Sequence, residues 1–226
     1  MHIQPVFFIF QPYYKVWNKD EGEMLTMQEA AKRRSSRGLK LSDLLVTVLV
    51  SIILGVVYYF WGSVSKLFSF FPQADELVYG MWFLASTLVY LLIRKPGVAL
   101  IAEIAAAHVS ILFGSEWGIQ LVMYSVFQGL GAELVFAAFR YKNYSASVAA
   151  LAGVAAAAGS LIPDIYYGYV QGYETWLFIA KYGMRALSSA VICGYLAYGL
   201  AKAVEATGVT NLLRPVEEKD YAALDD

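Results

Sequence analysis

Six ionisable side chains fall inside stretches of the sequence that are otherwise apolar. They are Glu103, His108, Glu133, Asp164, Lys181 and Arg185. An ionisable group costs about 2.5 kcal/mol or more to place at the centre of a membrane-spanning helix, so each indicates a functional site or a buried pair. The carboxylates outnumber the lysine and the arginine, and this balance suits a ligand that is a cation or donates hydrogen bonds.

An aromatic face with carboxylates beside it is a second candidate for ligand chemistry. Tyr79 and Trp82 are three residues apart and therefore share one face of a helix, with Glu76 one turn before Tyr79. Such a face attracts a flat organic cation through cation–π contacts and charge pairing. The signal is weak by itself, because aromatic stripes pack against neighbouring helices more often than they bind ligands.

The composition identifies the elements that must position these residues. Of the 226 residues 59% are hydrophobic and 15% are charged, and the mean hydropathy is +0.53. Soluble domains average about 45–50% apolar and about 25% charged residues, so a soluble enzyme is excluded. The single cysteine, Cys193, excludes a disulfide scaffold and is expected to be a small buried hydrophobe. Six apolar segments are long enough to cross a bilayer as helices: 44–61, 77–93, 97–113, 118–139, 145–172 and 175–201.

The sequence therefore predicts an all-α, polytopic membrane protein with six transmembrane helices. Nearly all of its 17 Lys and Arg flank the same side of the predicted spans, against Lys66 alone on the other side. This asymmetry predicts that both termini are cytoplasmic. Pro163 is expected to end or kink the fifth span, which is too long for a straight crossing.

Three regions follow from this division of the chain. Residues 1–40 form a cytoplasmic N-terminal segment, 41–203 the six-helix membrane domain, and 204–226 a cytoplasmic tail that is acidic and expected to be disordered. Met24 and Met27 each precede an ordinary basic lead-in to the first span, so each is a candidate start of translation.

Helical geometry predicts the depth of the polar groups. With a rise of about 1.5 Å per residue, Glu103 and Glu133 each lie about 9 Å from the inner end of their span. Gln128 and Arg185 fall near the middle of theirs, and Asp164 lies toward the outside, at the level of the aromatic face. The polar residues therefore form a column through the membrane.

Structural alternatives stay open for several of these residues. Arg185 pairs with Glu103 or Glu133 in the simplest structural interpretation. Lys181 reaches the outer surface if its long side chain snorkels, and His108 hydrogen-bonds between helices. Asp164 directly follows Pro163 and is a candidate cap for the helix that begins there.

Several kinds of active site are missing from the sequence. It has no phosphate-binding GxxxxGK[ST] loop, no HExxH zinc motif and no GxSxG nucleophile elbow. One cysteine and two histidines cannot build a zinc cluster. We therefore expect no enzymatic activity, no metal and no cofactor.

Four short motifs resemble one family of membrane proteins. They are YGMWF at 79–83, IRKPG at 93–97, AEI at 102–104 and FQGLGAE at 127–133. In this order and spacing, over roughly residues 41–210, they resemble the YkoE-like proteins. These are substrate-binding S components of energy-coupling factor (ECF) transporters, associated with thiamine and its hydroxymethylpyrimidine precursor.

The resemblance implies a function and a set of partners. S components are six-helix proteins of prokaryotic plasma membranes that capture a vitamin from outside. They dock on a transmembrane coupling subunit driven by two cytoplasmic ATPases, and they are thought to topple in the membrane to release the vitamin. Ser51 and Gly55 occupy the place of the usual alanine-xxx-alanine docking pair on the first helix, although Ser51 and Gly55 depart from that pattern.

The resemblance also implies ligand contacts. Thiamine is a permanent cation with an aminopyrimidine ring, so Glu133 and Gln128 are assigned to the pyrimidine, and Trp82 and Tyr79 to stacking. Glu103 is assigned either to the ligand or to Arg185.

The remaining carboxylates, Asp164 and Glu76, are assigned to the thiazolium charge or to the hydroxyethyl group. The alternatives are a stand-alone proton- or cation-coupled carrier for a small organic cation, and an intramembrane enzyme with Glu103 or His108 as its base.

Overall fold

The computed structural model describes residues 15–18, 23–26, 38–68 and 73–212, and the chain divides into two compact units, Met1–Gly38 and Leu39–Asp226. In the first unit, strands β1 (Lys15–Asn18) and β2 (Glu23–Thr26) form an antiparallel hairpin with Lys15 opposite Thr26. The sequence analysis did not predict this hairpin. We expected the tail, residues 204–226, to be disordered. From residue 213 onward it lies outside the part of the chain that the structure describes.

The second unit is entirely helical over its described residues. Its elements are α1 (Leu41–Lys66), a 3₁₀ helix (Ala74–Phe83), α2 (Leu84–Ile93), α3 (Val98–Leu112), α4 (Gln120–Ala138), α5 (Ala146–Gly159), α6 (Leu161–Tyr166), α7 (Thr175–Ser189), a π-helical turn (Ala190–Leu196), α8 (Ala197–Ala206) and a last 3₁₀ turn (Val209–Leu212). Five of the stretches are long and apolar enough to cross a membrane, and α3 is a shorter apolar helix of 15 residues. The predicted polytopic helical fold is confirmed, with a third crossing that is shorter than expected.

The fifth crossing breaks where the sequence predicts it. Helix α5 ends at Gly159, four residues before Pro163, and α6 starts at Leu161. Proline has no N–H to donate to the carbonyl four residues earlier, and its ring crowds that carbonyl, so the α-helix stops at Gly159.

The second crossing changes from 3₁₀ to α geometry at Phe83, and side chains satisfy the backbone groups at this junction. The N–H of Ala85 donates to the Tyr58 hydroxyl (2.8 Å), and the carbonyl of Phe83 accepts from the Ser86 hydroxyl (2.7 Å) and the Cys193 thiol (3.3 Å). Lipid offers no hydrogen bonds, so these partners make the irregular junction tolerable inside the membrane. Cys193 is fully buried, as predicted.

Helix α1 packs on α3 through the small residues Ser51 and Gly55, which corrects the interpretation of this pair. Ser51 is completely buried, and a Cβ on Gly55 would lie 2.5 Å from the carbonyl oxygen of Ala106. Small residues let two helices approach closely, and here Gly55 meets α3, with Ser51 buried one turn before it on the same side of α1. They therefore cannot form a docking surface for a partner subunit while this packing holds.

Two ion pairs, one buried and one partly buried, close one end of the bundle around the loop between α2 and α3. Lys95 in this loop bonds to Asp43 at the start of α1 (2.5 Å), and both side chains are buried. Arg94 bonds to Glu205 at the end of α8 (2.5 Å) and lies over the ring of Tyr144, 4.3 Å from its centroid. The domain therefore begins and ends at the same end of the bundle; the cytoplasmic orientation of that end remains a prediction.

Close helix packing predicts opposite effects for two glycine substitutions. A Cβ on Gly131 would lie 2.3 Å from the carbonyl oxygen of Ala155, whereas a Cβ on Gly199 meets nothing within 4 Å. We expect Gly131→Ala to destabilise the protein by about 1–3 kcal/mol through overpacking. Gly199→Ala should leave the thermal midpoint unchanged or raise it, since alanine favours helix. Thermal unfolding of the detergent-purified variants measures both, and equal midpoints would contradict the packing.

Candidate functional site

A cavity of about 300 Å³ opens at the end of the bundle opposite to the paired loop. Its mouth is formed by the end of α1, the loop between α3 and α4, and the loop between α6 and α7. The lining residues are Tyr58, Ser65, Lys66, Asp75, Glu76, Tyr79, Trp82, Glu103, Ala107, Glu116, Trp117, Leu121, Tyr124, Ser125, Gln128, Asp164, Tyr169, Tyr173, Lys181 and Arg185.

Three polar residues on three different helices form the floor of the cavity. Tyr58, Glu103 and Gln128 lie eight or nine residues from the mouth end of α1, α3 and α4, respectively. With a rise of about 1.5 Å per residue, each is about 12–13 Å below the mouth. A ligand that reaches this floor is enclosed by the bundle.

The 3₁₀ helix supplies one wall of the cavity. A 3₁₀ helix has three residues per turn, so residues three apart lie directly above one another. Glu76, Tyr79 and Trp82 have this spacing, and all three line the cavity. The aromatic face predicted from sequence is therefore present, with a 3₁₀ helix rather than an α-helix aligning it.

Arg185 is the centre of a buried ion cluster in the wall of the cavity. Its guanidinium forms two parallel bonds with Glu76, from Nε to Oε2 (2.6 Å) and from Nη2 to Oε1 (2.7 Å). A third nitrogen, Nη1, donates to Asp164 (2.7 Å) and to the Ser160 hydroxyl (2.7 Å). The guanidinium carbon also lies 3.7 Å from the ring centroid of Tyr79. Arginine is better suited than lysine to such contacts, because its planar guanidinium can donate two parallel hydrogen bonds to one carboxylate.

The two carboxylates of this cluster are therefore already neutralised. Asp164 accepts further hydrogen bonds from the hydroxyls of Tyr124 (2.5 Å) and Tyr182 (2.7 Å). Glu76 also has Lys181 at 3.8 Å. These contacts leave neither carboxylate as a free counter-charge for a ligand, and they show that Asp164 does not cap a helix.

Glu103 at the floor has no cation beside it among the described residues. Its Oε2 accepts from the Tyr58 hydroxyl (3.0 Å) and from the backbone N–H of Ser86 (3.1 Å). The side chain is 1% exposed. A buried charge is costly unless it is paired, so this carboxylate is the member of the cavity wall that most needs a partner.

The mouth is bordered by more exposed groups. Lys66 at the end of α1 pairs with Glu116 of the next mouth loop (2.6 Å), and both side chains are at least half exposed. Trp117 lies edge-on to Tyr169, with ring centroids 6.5 Å apart. Exposed pairs of this kind contribute little stability, so the mouth is held less firmly than the cluster below it.

Glu133 does not line the cavity, which corrects its assignment to the ligand. Its carboxylate accepts from the backbone N–H groups of Gly97 (2.6 Å), Ala99 (3.0 Å) and Leu100 (3.4 Å), and so caps the first turn of α3 at the closed end. A helix N-terminus favours a negative charge. In the loop nearby, burial and the Glu133 carboxylate raise the pKa of Tyr141 to about 12.

Three further interpretations of single residues are also corrected. Arg185 pairs with neither of the two glutamates named for it, because the 3₁₀ helix brings Glu76 closer. Lys181 does not snorkel out; it is 8% exposed and faces the cavity. His108 lies on the outside of α3, where Nδ1 is 2.7 Å from the carbonyl oxygen of Ile104 in the same helix.

The sequence analysis did not identify several cavity residues, among them Tyr58, Tyr124, Ser125 and Tyr173. Tyr124 precedes Gln128 by four residues, so helical spacing carried a signal for it. No comparable signal marks Tyr58, because its role depends on how α1 packs.

No group of three His, Cys, Asp or Glu side chains within the described ranges could hold a metal ion.

Comparison with known proteins links the chain to a family. Residues 42–159 match the family described as the permease component of an ABC-type cobalt transport system. The chain is 34% identical to Bacillus subtilis (strain 168) YkoE, named as an HMP/thiamine permease protein, over 174 residues, which are 76% of this chain and 87% of YkoE.

A solved structure supports the same relationship. The crystal structure of an S component of an ECF transporter superposes with a TM-score of 0.74 at 34% identity, covering 77% of this chain and 89% of that one. The likeness therefore extends over most of both molecules.

The ion cluster predicts the effect of removing its cation. We expect Arg185→Met to destabilise the protein by about 3–5 kcal/mol, because it leaves Glu76 and Asp164 buried without their arginine. The double variant Asp164→Asn, Arg185→Met should recover much of this loss, since Glu76 then keeps Lys181 as its cation and no charge is stranded. Thermal unfolding in detergent measures both, and a single variant as stable as the parent would contradict the cluster.

Proposed function

The chain belongs to the S components of ECF transporters, and on this premise we propose that it captures thiamine or its hydroxymethylpyrimidine precursor. As a member of this family it is a multi-pass protein of a prokaryotic plasma membrane and a transport protein, not an enzyme. The name of the B. subtilis relative supports the ligand class.

The observation that carries the proposal is the unpaired carboxylate at the cavity floor. Glu76 and Asp164 are paired with Arg185, and Lys181 lies beside them. Glu103 is left as the one buried lining carboxylate with no cation beside it among the described residues. A ligand with one positive charge and a donating amine balances it, and thiamine has both features.

The ligand contacts follow from this charge. Glu103 accepts from the exocyclic amine of the pyrimidine and so takes the role that the sequence analysis gave to Glu133. Gln128 has only a 3.5 Å contact with the Tyr79 hydroxyl, so its amide is available to a ring nitrogen. Trp82 stacks on the thiazolium. Tyr79 carries Arg185 on one ring face, so only its other face is open to a ligand.

Transport of the vitamin across the membrane requires partner subunits. We propose that the loaded chain hands its ligand to a transmembrane coupling subunit served by two cytoplasmic ATPases, as is typical of the family. Uptake then requires all of these subunits. Uptake into proteoliposomes by this chain alone, under a proton or cation gradient, would favour the stand-alone carrier instead.

The direct test is a titration of the purified protein with thiamine and, separately, with hydroxymethylpyrimidine, followed by tryptophan fluorescence. We expect saturable quenching at one equivalent, with thiamine tighter because the neutral pyrimidine does not supply a positive charge to balance Glu103. Trp82→Phe should remove most of the signal. Absence of binding to either compound, with protein shown to be folded, would refute the proposal.

Glu103→Gln should weaken thiamine binding at least about tenfold, because the substitution removes the charge and a charge-assisted hydrogen bond. Isothermal titration calorimetry measures the affinity independently of fluorescence. Glu174→Gln is the matched control: this exposed carboxylate bonds to Trp176 (2.6 Å) and does not line the cavity. Unchanged affinity in Glu103→Gln would remove Glu103 from the ligand site.

A further inference from the structure

Lys181 is a buried lysine whose hydrogen-bonding capacity is unused. It is 8% exposed and lines the cavity. Its ammonium lies 3.8 Å from Glu76, beyond hydrogen-bond distance, and 5.1 and 5.6 Å from the ring centroids of Tyr173 and Tyr182. It donates no hydrogen bond to any described residue, although an ammonium has three donors.

The neighbours of Lys181 explain why Glu76 does not satisfy it. Both oxygens of Glu76 already accept from Arg185, at 2.6 and 2.7 Å. The charge of Lys181 is therefore balanced within the cluster while its N–H groups are left free. A group of this kind, buried in a ligand cavity, is arranged to donate to the ligand.

We propose that Lys181 forms a subsite that donates a hydrogen bond to a hydroxyl oxygen of the bound ligand. This inference rests on the proposed function and adds a residue that fixes the orientation of the ligand. In thiamine the acceptor is the hydroxyethyl oxygen, at the opposite end of the molecule from the exocyclic amine.

The depth of Lys181 agrees with this orientation. It lies six residues into α7 from Thr175, about 9 Å below the mouth, and helical side chains lean toward the helix N-terminus, which here is the mouth. Glu103 lies about 12–13 Å down and its partners are at the floor. The amine end of the ligand therefore points inward and the hydroxyl end points to the mouth.

A double comparison of ligand and variant tests the subsite. Thiamine and its analogue with an ethyl group in place of hydroxyethyl are titrated by calorimetry into the full-length protein and into Lys181→Met. The parent should prefer thiamine about tenfold, the value of one hydrogen bond to a charged donor, and Lys181→Met should show less than about twofold preference. Lys202→Met, which removes an exposed lysine paired with Glu205 at the closed end, is the control and should keep the parent's preference.

The outcomes separate this inference from the proposed function. If the parent does not bind thiamine, the proposed function itself fails. If it binds thiamine but Lys181→Met keeps the full tenfold preference, the subsite is refuted and the function stands. Should Lys181→Met not fold, Lys181→Gln keeps a donor without the charge, and it should retain a reduced preference above twofold.

Discussion

A guanidinium buried inside a membrane-spanning bundle is stable only if acceptors surround it, and Arg185 imposes this condition on the mouth half of the protein. Its acceptors come from two places where the chain departs from a regular α-helix. Glu76 is on the 3₁₀ helix, Ser160 lies at the break before Pro163, and Asp164 directly follows that proline. The 3₁₀ helix and the break near Pro163 each place an acceptor within hydrogen-bond distance of Arg185. The buried arginine therefore requires both irregular segments, and its hydrogen bonds stabilise them in turn.

This pairing also determines what the cavity can recognise. Since Arg185 pairs with Glu76 and Asp164, these two carboxylates stabilise the fold, and Glu103 is the buried carboxylate of the described lining that has no cation beside it. Lys181 is close enough to balance the cluster but too far to be satisfied by it. The cavity thus has an acceptor at its floor and a donor nearer its mouth, and a ligand with the complementary groups binds in one orientation.

The depth of a residue and its direction around a helix can be predicted from the sequence, whereas the neighbour that a helix face meets cannot. The apolar runs predicted the crossings, and counting residues placed Glu103 toward the inner end of its span and Gln128 near the middle of its own. Glu133 was grouped with Gln128, yet five residues at about 100° each put them roughly 140° apart on a helix. That angle was available from spacing alone. The helix that packs against Ser51 and Gly55 could not be predicted, because two small residues on one face do not indicate which helix will cover them.

The two ends of the bundle differ in the cost of opening them. At the closed end, the buried pair of Lys95 and Asp43 and the Glu133 cap on α3 would have to separate, and stranding such charges costs several kcal/mol. At the mouth, the Lys66–Glu116 pair is exposed and contributes little. A bound ligand therefore leaves most easily through the mouth by which it entered. Delivery across the membrane then requires the mouth itself to change sides, which agrees with the toppling that the family resemblance implies.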